Sequence, residues 1–355
     1  MKTSIGITGL LAGLLAICGC SKENGAKITS ITGAGASFPA PVYQNWTHTY
    51  TQSNTGCRVI YHSLGSGAGI NQLKAKTIDF AGSDAPLTLA EQKEAALTQF
   101  PMLMGGVVVI ANLQNAALEL KLSRKALAAI FLGKITRWND AELKALNPDA
   151  QLPEQDITVV HRADASGTSF IFTDYLARIS DEWRRTAGSG TSVNWPTGIG
   201  GQKNPGVCNN VAKIYGAIGY TEYTYAAEAK LFMPLLENKA GSYPAPAMES
   251  FQEAAASADW SSAPGFYMLL NDQGGVNAWP IMGASYILFR TGSSQETQNA
   301  LLKYFNWCFT EGATAARKLN YVPMPQSVIA LVQAAMPRGQ RTPADGNGLQ
   351  RTETP

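Results

Sequence analysis

Charge is what this chain has least of. Of 355 residues only 15% are Asp, Glu, Lys or Arg, well below the ~25% of an ordinary soluble domain. The 28 basic and 26 acidic side chains leave a formal net charge of +2. That balance, with no long basic run, excludes nucleic-acid binding driven by phosphate neutralisation. Histidine is scarcer still: His48, His62 and His161 are the full complement, too few for a multi-histidine metal centre. No apolar run beyond the first twenty residues is long enough to cross a bilayer, so the body reads as a soluble domain. Hydrophobic residues are plentiful at 45%, which supplies a large core and excludes a disordered chain. The length predicts about two domains if ~150 residues is typical.

The N-terminus reads as a targeting segment over residues 1–19. Lys2 supplies the positive end, and Ile5 to Ile17 is apolar but too short for a membrane span. It closes on Ile17-Cys18-Gly19-Cys20-Ser21, a lipobox-like ending in which Cys20 is expected to be lipidated and to become the mature N-terminus. Several acyl chains on one cysteine would anchor the protein stably to a membrane, leaving residues 20–27 as a tether and the body outside the cytoplasm. Cys57, Cys208 and Cys308 remain. They are widely separated and lack metal-ligand spacing, so they allow at most one disulfide. The favoured state is unpaired thiols buried as small hydrophobes.

Along the body, β-rich segments run into Gly/Ser clusters that open helical patterns. Lys27 to Ile31 leads to Gly33-Ala34-Gly35-Ala36-Ser37-Phe38 and a helix through Tyr50. Arg58 to Leu64 leads to Gly65-Ser66-Gly67 and a helix from Ile70. Asp156 to Val160 leads to Arg162-Ala163-Asp164-Ala165-Ser166-Gly167-Thr168 and a helix from Ser169. Strands alternating with helices predict an α/β fold. Thr88-Leu89-Ala90-Glu91 reads as a capping box, Gly106 to Ala111 as a buried strand, and Ser192 to Val211 as loop. Residues 337–355 read as a mobile tail.

A strand that turns into a helix through glycine and serine presents free backbone N–H groups at the positive end of the helix dipole. Such a turn binds an oxyanion without needing a side-chain cation. Each of these turns carries a hydroxyl, at Ser37, at Ser66, and at Ser166 with Thr168, and their recurrence points to one shared anion site. None matches a nucleotide P-loop, the dinucleotide fingerprint or the G-x-S-x-G elbow of a serine hydrolase. Arg162 can hold an oxyanion through its fork of donors, while Asp164 either fixes that guanidinium or caps the turn. His161 reads as a strand residue facing away. Asp84 is the odd group, a carboxylate in a strand-end loop beside an expected anion.

These stretches resemble the periplasmic phosphate-binding proteins of ABC phosphate importers, the PstS family. The resemblance is carried by residues 33–43, Gly65-Ser66-Gly67, Asp79 through Leu87, and Arg162 through Phe170, and runs in order from about Ile28 to Met336. It implies a two-lobed solute-binding fold, each lobe a central sheet flanked by helices with a hinge between. Residues 28–105 and 278–336 would form lobe one and 106–277 lobe two, with chain crossings near Gly105-Gly106 and near Asn277 to Ile281. The implied phosphate ligands are Ser37, Phe38, Ser66, Asp84, Arg162, Ser166, Gly167 and Thr168, with Asp164 behind Arg162. Phe38 and Gly167 would act through backbone N–H.

No cofactor, metal or catalytic residue is implied. The implied partners are inorganic phosphate, an ABC phosphate permease with its ATPase subunits, and a membrane reached through the lipid anchor. The expected protein is a monomeric lipoprotein of the periplasm or cell surface. Asp84 then has a rationale, since a carboxylate tolerates phosphate, which brings a proton to share, but not sulfate, which brings none. The alternatives are a binder of another tetrahedral oxyanion, a phosphatase using a cleft serine, and a surface lipoprotein that retains phosphate for another purpose. Missing metal ligands and the lack of a general base disfavour the phosphatase.

Overall fold

The computed structural model describes residues 28–113 and 119–336. The leader with Cys20, the tether up to residue 27 and the tail from residue 337 lie outside them. The order begins β1 (Thr29–Gly35), α1 (Ala40–Ser53), β2 (Cys57–Ser63), α2 (Ser66–Lys74), β3 (Phe80–Ser83), α3 (Leu89–Glu94) and β4 (Leu97–Ala111). It continues with β5 (Lys121–Leu122), α4 (Arg124–Phe131), α5 (Ala141–Leu146), β6 (Thr158–Arg162), α6 (Gly167–Ile179) and α7 (Asp181–Thr186). Next come β7 (Ile199–Gly201), α8 (Lys203–Lys213), β8 (Ala217–Glu222), α9 (Tyr223–Glu228), β9 (Leu235–Leu236) and α10 (Met248–Ala256). The last elements are β10 (Met282–Arg290), α11 (Gln295–Phe309), α12 (Ala313–Lys318), β11 (Val322–Pro323) and α13 (Gln326–Ala335).

The α/β architecture expected from the alternating pattern is present, in a two-lobed arrangement organised around one strand. The main sheet runs β2-β1-β3-β10-β4-β8-β6-β7, with β11 also on β4. β4 has 15 residues, long for a strand, and it changes partner along its length. Leu97 to Gly106 pair antiparallel with β10, whereas Val107 to Ala111 pair antiparallel with β8. Its run Val107-Val108-Val109-Ile110 is fully buried, as a strand covered on both faces requires. Trp279 secures the changeover by donating its indole N–H to the Val107 carbonyl at 2.9 Å. Parallel pairing of β1 with β2 and β3, and of β6 with β7 and β8, places the helix-start turns at the C-terminal ends of strands. That is where open α/β sheets bind ligands.

Local chemistry accounts for many boundaries. Thr88 and Glu91 form the expected capping box at α3, and Ser123 caps α4 through Ala126 N–H at 3.1 Å. Two expectations need correction. Gly33-Ala34-Gly35 is not a loop but the end of β1. A Cβ on Gly33 would lie 2.1 Å from the Phe80 ring, and one on Gly35 (φ +141°) 2.1 Å from the Gly82 carbonyl, so these glycines serve strand packing. Residues 192–211 are not all loop either, since β7 and most of α8 lie within them. The glycine, asparagine and proline content there obscured a helix whose Val207, Cys208 and Val211 are buried. Cys57, Cys208 and Cys308 are all free thiols, the last two buried.

Candidate anion-binding site

The three turns converge. Gly65, with φ +97°, is the N-cap of α2 and makes Ser66 its first residue. Ser166 is the N-cap of α6, its Oγ accepting Ser169 N–H at 3.1 Å, so both helices begin earlier than the sequence pattern suggested. Ser37 and Phe38 lie in the turn before α1 and are buried. Contacts from the β1–β3 half of the sheet to the β6–β8 half close over this region. Gly67 N–H donates to the Ala165 carbonyl at 3.2 Å, and Gly167 N–H donates to Ser66 Oγ at 3.1 Å. Ser66 Oγ also receives Asp84 N–H at 3.3 Å. Gly167 tolerates no side chain here, because a Cβ would fall 2.5 Å from Ser66 Oγ and 2.6 Å from Asp84 Cβ.

Arg162 ends β6 with its side chain 1% exposed. Nε and Nη2 bond Asp164 Oδ1 and Oδ2 at 2.8 and 2.5 Å, while Nη1 donates to Thr168 Oγ1 at 3.3 Å. Asp164 also accepts Lys203 N–H at 2.9 Å. Of its two sequence readings, the one that fixes the guanidinium is the geometry present. Burial pushes the Asp164 carboxyl up, but hydrogen bonds and charge from Arg162 outweigh it and hold the carboxyl below its ordinary range. A buried cation neutralised in this planar, two-pronged way keeps a fixed direction for its remaining donors.

Asp84 follows β3 and is 2% exposed, yet neither carboxylate oxygen has a hydrogen-bond partner. Burial pushes its pKa up to about 7. The Ser285 and Ser66 hydroxyls and the Arg162 charge favour the ionised form and offset only part of that rise; neither hydroxyl makes a well-formed bond to the carboxylate. Buried polar atoms are seldom left this way, so the two unpartnered acceptors make Asp84 a candidate to accept a proton from a ligand.

Asn204, on α8, was missed. Its Nδ2 donates to Ser37 Oγ at 3.2 Å and approaches Thr168 Oγ1 at 3.4 Å, and its Oδ1 accepts from Thr221 at 3.3 Å. By filling acceptor positions on both hydroxyls, Asn204 leaves their protons to point elsewhere. An asparagine inside a stretch read as loop carried no sequence signal for this role. His161 stacks on Trp195 with ring centroids 4.8 Å apart, and burial lowers its pKa. It is therefore a residue of an aromatic stack, its Nδ1 3.1 Å from the Arg162 carbonyl. Among the described residues no cluster of His, Cys, Asp and Glu is arranged to hold a metal.

The chain is similar to known proteins in sequence and in fold. Residues 21–311 match the model of a PBP superfamily domain. The phosphate-binding protein PstS of Pasteurella multocida strain Pm70 is 46% identical over 323 residues, covering 90% of this chain and 94% of that protein. Among solved structures, a high-affinity periplasmic phosphate-binding protein (PfluDING) bound with phosphate superposes with a TM-score of 0.70 at 20% identity, over 86% of this chain and 93% of that one. An ABC-type phosphate transport receptor from Vibrio cholerae gives 0.57 at 19% identity, over 83% and 100%. At those identities the structures establish a shared fold.

Proposed function

Because the chain belongs to the PstS family of phosphate-binding proteins within the PBP superfamily, we propose that it captures inorganic phosphate between two lobes and delivers it to an ABC permease. In this reading it is an extracytoplasmic binding protein and not an enzyme, in keeping with relatives named phosphate-binding proteins. Lobe one would comprise residues 28–105 and 278–336 and lobe two 106–277, hinged where β4 exchanges β10 for β8. The ligands would be the hydroxyl and backbone donors of Ser37, Phe38, Ser66, Ser166, Gly167 and Thr168, the Arg162 guanidinium, and Asp84 as the one acceptor. Phosphate oxygens would take over the donors that now meet one another, such as Gly167 N–H on Ser66 Oγ. Contacts from both lobes stabilise the closed form, so ligand shifts the equilibrium toward it. Lipidation at Cys20 would tether the protein near the permease.

The observation that carries this reading is Asp84, whose buried oxygens have nothing to accept from. An anion that brings a P–OH group satisfies them, whereas a proton-free anion adds charge repulsion in a desolvated site. Calorimetric titration of the delipidated protein with phosphate, sulfate and a phosphate monoester tests it. Phosphate should bind with a stoichiometry of one, sulfate should be excluded, and the monoester should fail for lack of room in a closed site. Equal binding of sulfate would refute the reading. Turnover of the monoester would favour the phosphatase instead.

A further inference from the structure

A second buried acid lies where the two halves of the sheet join. Glu222 ends β8, pairs in register with Val107 on β4, is completely buried and caps α9 through Thr224 N–H at 3.0 Å. Two hydroxyls surround it, and each faces more acceptors than it has protons. Tyr321 Oη lies 2.9 Å from Glu222 Oε2 and 2.7 Å from the Phe38 carbonyl. Thr224 Oγ1 lies 3.1 Å from Glu222 Oε1 and 2.7 Å from the Leu319 carbonyl.

One hydroxyl carries one proton. If Glu222 is ionised, Tyr321 must choose between the carboxylate and Phe38, and the loser is a buried acceptor without a donor. If Glu222 carries a proton on Oε2, it donates to Tyr321 and Tyr321 donates to Phe38. Thr224 is then free to hold Leu319, while Oε1 keeps the Thr224 N–H. Only the neutral acid leaves both carbonyls and both carboxyl oxygens with a partner. Phe38 belongs to the first binding turn, and the neighbouring Ser37 carbonyl is held by Tyr225 of α9 at 2.7 Å.

We propose that Glu222, in its protonated form, is a positioning residue of the anion site, fixing the Phe38 turn through Tyr321 and so coupling β8 to the ligand-binding turn before α1. The inference rests on the functional reading above, in which Phe38 N–H binds phosphate. It makes affinity sensitive to pH through a group that does not touch the ligand. Burial places the Glu222 pKa at about 8. The closed form therefore holds a proton that an open, hydrated form gives up in the ordinary carboxyl range, so affinity falls as pH rises from that range up to about 8 and levels off above it.

The titratable groups packed around Glu222 are Tyr321, Tyr225, Tyr223 and Cys208, all raised by burial, so they stay neutral across the range concerned. Arg162, Glu228 and Glu249 act on those tyrosines from the surroundings.

The test compares phosphate affinity of the wild type with Glu222→Gln and Tyr321→Phe by calorimetry, from about pH 5 to about pH 9. Titrations of Asp84 and of phosphate itself are common to all three proteins and cancel in the ratios. An amide at position 222 donates to Tyr321 at every pH. Glu222→Gln should therefore match the wild type near about pH 5 and bind about tenfold more tightly than it at the alkaline end. Tyr321→Phe should bind about tenfold more weakly near about pH 5 and lose the excess alkaline decline; this arm stands even if the glutamine variant fails to fold. A Glu222→Gln profile that tracks the wild type throughout, or Tyr321→Phe binding as tightly as the wild type, overturns the inference alone. A wild type that does not bind phosphate overturns the functional reading, and this inference with it.

Discussion

At the scale of single residues, the site is made of neutral dipoles with few formal charges. Arg162 is matched by Asp164 at close range, and Asp84, raised to about 7 by burial, adds a strong acceptor that a proton-bearing anion would satisfy. Replacing it by asparagine removes the acceptor that a P–OH requires and supplies a donor that sulfate can use. Asp84→Asn should weaken phosphate binding by about tenfold or more and let sulfate compete; an unchanged ratio of phosphate to sulfate affinity by calorimetry would count against the assigned role. Asn204 works one step back from the ligand. Asn204→Ala should lower phosphate affinity about fivefold to tenfold while leaving the sulfate discrimination intact, because Asp84 is untouched. Titration of that variant with both anions checks the separation.

At the scale of elements, the determining feature is the turn from a strand into a helix. Ser66 opens α2 and Ser166 caps α6, so backbone N–H groups and hydroxyls meet at the C-terminal ends of β2 and β6. These turns were legible in the sequence because glycine and serine at a strand end have few other uses. What was illegible was the reason for each glycine. Gly33 and Gly35 accommodate β3, whereas Gly167 accommodates Ser66 and Asp84 from the facing turns. Composition cannot distinguish close packing of strands from close packing across a site, because both demand the same missing Cβ. Helix α8 was hidden for a related reason, its buried face being short and interrupted by Asn, Pro and Gly. Gly167→Ala sharpens the point. The added methyl meets its neighbours only when the two halves close, so the ligand-free melting temperature should change little while the stabilisation by phosphate disappears. Thermal melts with and without phosphate would show it, and a retained phosphate shift would contradict it.

At the scale of the whole molecule, the main sheet is shared through β4, and its partner change between Gly106 and Val107 is where the proposed hinge would let two halves rotate. The order of strands and helices, and hence the fold class, could be read from the alternating pattern. The crossing near Gly105-Gly106 was expected, but that one continuous strand carries it was not, because Thr98, Gln99 and Pro101 interrupt the apolar run and only Gly106 to Ala111 read as strand. The two buried acids bias the closed arrangement. Asp84 and Glu222 have raised pKa values of about 7 and about 8, so the closed, ligand-free form holds protons that an open, hydrated form releases. Closure is therefore favoured at low pH and lost as pH rises through those values. Small-angle scattering should show the ligand-free protein more extended at about pH 8.5 than at about pH 5.5, and phosphate should compact it at about pH 7. A ligand-free radius independent of pH would argue against burial of both acids on closure. The account as a whole depends on one comparison, calorimetric titration of the wild-type protein near neutral pH with phosphate and with sulfate. It predicts stoichiometric, saturable binding of phosphate and no measurable heat from sulfate at the same concentration. Binding of sulfate as tight as that of phosphate would contradict it.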